Sequence, residues 1–297
     1  MRRTPIWRVM ANSKARGTPL SFGVQLFGVH ALPQTWLKLV LGALPFVLLI
    51  VVYSWASELR HRENPDDKLL PGIVQMSDAV APMLFDEDPR SGHYLFWNDT
   101  VSSLQRLAIG VGCAYLLALL LGVNMGIYRG LEALAGPFST FIAMVPPMAL
   151  LPILFISLGV DELGKVALIF IGTAPVMLRD IYLATKALPR EQLVKAMTLG
   201  GSDSAYVYRI ALPQIVPRSI DTLRLSLGAA WLFLIAAEAI ASTDGLGYRI
   251  FLVRRYLAMD IIIPYVAWIT VLGFALDYCL RESGRRLFPW YHGDAIK

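Results

Sequence analysis

A chain of 297 residues that is 56% hydrophobic and 16% charged, with mean hydropathy +0.55, is too apolar for a soluble domain, in which those shares are roughly 45–50% and about 25%. Its net charge of +5 does not point to nucleic acid, because acidic and basic residues are segregated loop by loop, as membrane insertion requires. The two cysteines, Cys113 and Cys279, lie in separate apolar segments and read as small core residues. The four histidines fall in four separate polar or terminal stretches without HExxH spacing, so neither a disulfide framework nor an intramembrane zinc site is expected.

Residues 1–35 form a basic arm whose apolar positions 22–29 suit either an interfacial helix or a plain tail; the Arg2-Arg3 pair reads as a topology anchor. The first predicted span covers residues 36–57, with Trp36 and Trp55 near its ends, and it is too long for the apolar core of a secretory signal. The stretch 58–99 carries four basic and nine acidic residues, a net of −5, which places it outside the membrane; within it, residues 69–85 have a helical apolar period and are expected to rest on the outer surface.

Further spans are expected at 104–128, 137–160, 166–183, 220–242 and 261–280, giving six with both termini cytoplasmic. The third contains Pro146, Pro147 and Pro152, and the backbone groups they free must be met by protein or a wet cavity. It is therefore either a candidate pore liner or a kinked packing helix. The turn after it, residues 159–166, fits GxxxxGK but has Val166 where a phosphate loop needs Ser or Thr, and Asp161 and Glu162 repel phosphate, so no ATP site is expected on this chain.

The segment 186–218 is the longest polar stretch between spans beyond the acidic one, and from Arg179 to Arg218 six basic residues stand against three acidic, a net of +3 on the cytoplasmic side. Pro189 opens one short helix, Gly200 and Gly201 break it, and Ser202 caps a second, so the segment reads as a folded knob. In the fifth span Asp221 and Arg224 are spaced to pair, and Glu238 lies deep enough that it reads either as a residue of the outer path or as a structural acid bonded to a neighbouring helix. Arg249, Arg254 and Arg255 are a cationic exception on the outside, where contact with lipid headgroups would explain them. Asp277 and Arg281 stand at i, i+4. A pump subunit that docks a separate motor, a secondary transporter and a membrane scaffold all remain open at this point.

The knob resembles the loop of bacterial ABC-importer permeases, whose pattern is Glu-Ala-Ala, three residues, Gly, nine residues, Ile-x-Leu-Pro. Ala196, Gly200, Ile210, Leu212 and Pro213 match at the right spacing, whereas Val194 stands where Glu is usual and Lys195 where Ala is usual. Residues 145–165, 224–250 and 276–290 are similar to the nitrate, sulfonate, taurine and bicarbonate branch of that family, the resemblance covering about residues 69–290. It implies an all-α integral membrane protein of six transmembrane helices, with the type I importer permease fold in residues 36–290 and a C-terminal tail at 291–297, in a bacterial inner membrane. It also implies ATP-binding cassette subunits holding ATP and magnesium, an extracytoplasmic solute-binding protein, and a second permease copy, expected to be identical. No cofactor and no metal is expected on this chain. Val194, Lys195, Ala196, Gly200, Gly201, Ile210, Leu212 and Pro213 would couple to the ATPase; Pro146, Pro147, Thr173 and Glu238 are assigned to the path.

Overall fold

A computed structural model describes residues 35–64, 68–89, 92–240 and 242–292, and the chain divides into two units, residues 1–65 and 66–297. The expected basic arm to residue 34 and the tail from residue 293 lie outside the described residues. The first unit contributes one helix, α1 (Thr35–Glu63), apolar along most of its length and closed by Arg60, His61 and Arg62 in its last turn.

The second unit begins with α2 (Ile73–Phe85), then α3 (Leu95–Ile127) and α4 (Arg129–Ala143). A 3₁₀ turn (Pro147–Leu150) leads to α5 (Leu151–Leu158) and α6 (Glu162–Lys186). Next come α7 (Arg190–Thr198), α8 (Asp203–Tyr206), a π-helical stretch (Val207–Ala211) and α9 (Leu212–Ile240). The unit closes with α10 (Leu246–Val253), α11 (Met259–Leu287) and α12 (Pro289–His292). Among the described residues, five helical runs are long and apolar enough to cross a membrane: α1, α3, α6, the α8–α9 run and α11. The bent pair α4 and α5 makes a sixth if it counts as one span.

The core is built on a stripe of small residues. Gly110, Ala114, Ala118, Gly122 and Gly126 recur every fourth residue on α3 and so share one face. That face meets α6, which runs parallel to it: a methyl added at Gly110 would fall 2.8 Å from Ile169, one at Gly122 2.9 Å from Ile181, and one at Gly126 2.5 Å from Thr185. Ile169, Thr173, Met177, Ile181 and Thr185 are likewise four apart and buried. Without water to drive apolar groups together inside a bilayer, close backbone approach is what holds such helices, and the stripe permits it.

Several boundaries differ from the sequence reading. Helix α4 starts at Arg129, only Tyr128 separating it from α3, so the stretch expected as a turn is already helical and Pro137 lies inside the helix. The third span is broken, α4 and α5 meeting at 84° where Pro146 and Pro147 interrupt the backbone ladder. The fifth span continues back to Asp203 as one helical run, because the π stretch carries the backbone through to Pro213 without a turn. Cys113 and Cys279 are exposed on the chain surface and are not core residues. Asp277 pairs with Arg224 on α9 at 2.9 and 3.1 Å, while Arg281 sits over the Tyr278 ring.

Candidate functional site

At the end of the bundle opposite the α7–α8 loop, side chains from α3, α6 and α9 converge on the start of α10. The N-terminus of a helix exposes backbone N–H groups with no partner inside the helix. Here Gly245 N–H donates to Asp99 Oδ1 at 3.0 Å, Leu246 N–H to Ser103 Oγ at 2.8 Å and Gly247 N–H to Glu238 Oε2 at 2.8 Å. Two of these acceptors are carboxylates, and the positive end of the α10 dipole favours them. The short helix is thus capped entirely by groups from α3 and α9.

Arg106 ties this cap to α6. It is 3% exposed, and it donates to Glu238 Oε1 at 2.7 Å, to Glu162 Oε1 at 2.7 Å, to the Asp244 backbone carbonyl at 3.1 Å and to the Asp244 carboxylate. Ser103 Oγ donates to Glu238 as well, at 2.7 Å, which leaves the fully buried Glu238 (0% exposed) with every oxygen engaged. Lys165 is buried and donates to Glu162 Oε1 at 2.9 Å and to Ser242 Oγ at 3.0 Å. The residues of the abortive phosphate loop, Glu162 and Lys165, therefore belong to an ion network.

The network extends to α10 and α11. Arg249 Nε donates to Asp99 Oδ2 at 2.8 Å, and Tyr265 donates to the same oxygen at 3.3 Å. Arg249 is therefore held inside the protein and not by lipid headgroups, whereas Arg254 and Arg255 are exposed. Burial works most strongly against the guanidinium charge, but the bond to Asp99, that carboxylate's charge and the nearby Tyr265 and Tyr248 together outweigh it and hold Arg249 above its ordinary range. Asp99, Ser103, Arg106, Glu162, Lys165 and Asp244 were not legible as a site, since they lie far apart in the chain. The one available signal was the presence of charge inside otherwise apolar segments.

At the other end the α7–α8 loop is folded. Gly200 closes α7 at φ +82°, and Ser202 Oγ accepts the Ala205 N–H at 3.2 Å as the cap of α8. Gly201 lies against the end of α7, where an added methyl would fall 2.8 Å from the Ala196 carbonyl. Val194 is 62% and Leu199 88% exposed, while Lys195 and Pro213 are exposed and Ala196, Ile210 and Leu212 half-buried. Gln214 Nε2 donates to Gln192 Oε1 at 3.1 Å, fastening α7 to the root of α9. The loop thus presents large apolar side chains on a folded knob whose second helix, α8, is continuous with α9.

Of the positions assigned to a path, Pro146 is exposed and Pro147 half-buried, both at the α4–α5 break. Thr173 is buried on the α6 face that carries Ile169 and Met177, and its hydroxyl donates to the Ile169 carbonyl at 2.8 Å. Glu238 belongs to the ion network. Apart from the adjacent Pro146 and Pro147, the four lie on different elements: the α4–α5 break, α6 and α9.

The family described as binding-protein-dependent transport system inner membrane component matches residues 114–288, which include the loop, α9, α10 and α11. The chain belongs to this family. It is an ABC-importer permease for a small solute and a multi-pass membrane component. It is 31% identical over 198 residues to the taurine transport system permease protein TauC of Escherichia coli strain K12, covering 67% of this chain and 72% of that one. It is 30% identical to the bicarbonate transport system permease protein CmpB of Synechococcus elongatus, over 62% and 66% of the two chains. The putative aliphatic sulfonates transport permease protein SsuC of Bacillus subtilis is 27% identical over 75% of this chain and 82% of its own. Among solved structures, an inward facing conformation of the MetNI methionine ABC transporter shares the fold, with TM-score 0.56 and 16% identity over 65% of this chain and 94% of that one. In this permease Asp99, Ser103 and Arg106 precede the stretch that the family description matches, so the network joins the shared core to the part of α3 before it.

Proposed function

We propose that this permease forms, with a second copy of itself, the membrane passage of an importer driven by separate ATP-binding cassette subunits, and that α7 and the residues through Pro213 dock those subunits. The observation that carries the reading is the knob: Val194 stands exposed on α7 and Leu199 at its end, and across the turn at Gly200–Ser202 α8 continues into α9 as one helical run. Exposed apolar side chains on a rigid projection suit insertion into a groove of a partner, and a continuous helix transmits displacement. Val194, where the family pattern has Glu, adds apolar area to that docking face.

The excess of basic residues around the knob supports a cytoplasmic position for it and for both termini, and in that orientation the network end would face the solute-binding protein. ATP and magnesium would reside on the ATPase subunits, whose closure must be felt differently by two conformations of the permease for transport to be driven. The relatives named for taurine, bicarbonate and aliphatic sulfonates favour a small oxyanion as the solute. The α4–α5 break, where Pro146 and Pro147 free backbone carbonyls, is the best-suited described element for lining the passage. Glu238 and Thr173, both buried, would support that passage by holding their helices.

Leu199→Asp tests the docking. The ATPase subunits should no longer co-purify with the permease, while its insertion and detergent stability stay unchanged. Retention of the subunits at wild-type stoichiometry, or solute uptake by the permease alone down an ion gradient, would refute the reading.

A further inference from the structure

The seam between α9 and α11 holds a polar group that the packing leaves unsatisfied. The two helices run antiparallel: Arg224 pairs with Asp277, a methyl added at Gly284 would touch Ile220 at 3.6 Å, and one added at Gly273 would lie 3.4 Å from Trp231 Nε1. Trp231 is 8% exposed, and among the described residues its indole N–H is the one buried side-chain polar group without a hydrogen-bond partner. Leaving such a donor unpaired costs about 1–3 kcal/mol, and native structures rarely keep one without a use. Phenylalanine would fill most of the same volume without that cost.

The position of the donor is informative. It faces Gly273, whose lack of a side chain lets α11 pack over the ring edge. It also sits on α9, which continues from α8 of the knob, and the coupling proposed above would work this seam open by moving that end of the helix. The neighbouring guanidinium is not free: Arg224 is engaged by Asp277 at 2.9 Å and by Asp221 at 3.0 Å.

We infer that the Trp231 indole N–H is a contact for the solute in transit and selects a solute bearing a hydrogen-bond-accepting oxyanion, such as a sulfonate or bicarbonate. The inference rests on the permease function proposed above and adds a residue and a chemical preference to it. An indole N–H donates and never accepts, so at this point an ammonium or guanidinium group gains nothing while an anionic oxygen gains a bond. In the resting seam the donor is kept dry and unpaired, which makes the incoming oxygen its best available partner.

The test uses the full importer, permease with ATPase subunits and binding protein, reconstituted in vesicles with radiolabelled taurine and bicarbonate as probes. Two substitutions remove the donor: Trp231→Phe, and Trp231→benzothienylalanine, which keeps the bicyclic shape and replaces N–H by sulfur. Uptake of the transported anion should fall about tenfold or more in both, the worth of one buried hydrogen bond, with the thermal midpoint unchanged or raised. Wild-type uptake in the benzothienylalanine form would overturn the inference and leave Trp231 as packing. If the wild-type importer took up neither anion while the binding protein still stimulated ATP hydrolysis, the oxyanion preference would fall and the permease function stand. Absence of that stimulation as well would remove the function on which the inference rests.

Discussion

Arg106 Nη1 donates to Glu238 Oε1 at 2.7 Å, joining α3 to α9 through two side chains that are almost fully buried. Because Glu238 also accepts from Ser103 and from the Gly247 backbone, removing the cation strands a carboxylate that cannot reach water. Arg106→Leu should cost roughly 3–5 kcal/mol, the usual penalty for breaking one side of a buried pair, and thermal unfolding of the purified permease should show it. Glu238→Gln should cost about 1–3 kcal/mol, since its amide cannot accept from Arg106, Ser103 and Gly247 all at once. A Glu238→Gln permease as stable as wild type would remove this carboxylate from the structural account.

Gly245 stands at φ +111°, and a methyl there would lie 2.5 Å from the Glu238 carboxyl carbon and 2.7 Å from Arg106 Nη1. Both the backbone conformation and the space exclude a side chain. Gly245→Ala should therefore release the start of α10, and hydrogen exchange should show lost protection at Leu246 and Gly247. Unchanged protection at those two amides would contradict this account of the cap.

Gly200 is different, because nothing lies within 4 Å of the site where a methyl would be added and only its φ of +82° is demanding. A β-branched residue pays about 1–2 kcal/mol in that region, whereas Asn tolerates it. Gly200→Val should distort the knob and uncouple ATP hydrolysis from uptake in vesicles. Gly200→Asn should leave the two coupled, and equal coupling in both would show that the turn conformation is immaterial.

The α3–α6 interface should resist added volume. Ala118 is fully buried on the small-residue stripe, and Ala118→Leu should cost about 1–3 kcal/mol through overpacking. Cys113→Leu, on the exposed surface of the same helix, should leave the unfolding midpoint of the solubilised chain unaltered. Equal losses in the two would mean that the stripe is not the packing face.

Apolar length and charge asymmetry were enough to read a multi-span membrane protein, Pro189, the Gly200–Gly201 break and Ser202 to read the folded knob, and the spacing of Ala196, Gly200, Ile210, Leu212 and Pro213 with the stretches 145–165, 224–250 and 276–290 to read its family. Such features are local: a hydrophobic run, a left-handed glycine and a cap at Ser202 act within a few residues of themselves. The ion network was not readable in that way. Glu162 and Lys165 looked like a failed phosphate loop and Arg249 like a headgroup contact, because Arg106, Asp99 and Glu238 lie tens of residues away and no spacing rule links them. Only the parallel packing of α3 on α6, and the return of α9 beside them, brings these charges within hydrogen-bond reach. The same holds for the 84° break at Pro146 and Pro147: three prolines announce an interrupted span, but they do not fix the angle between its two arms, which only the folded chain displays.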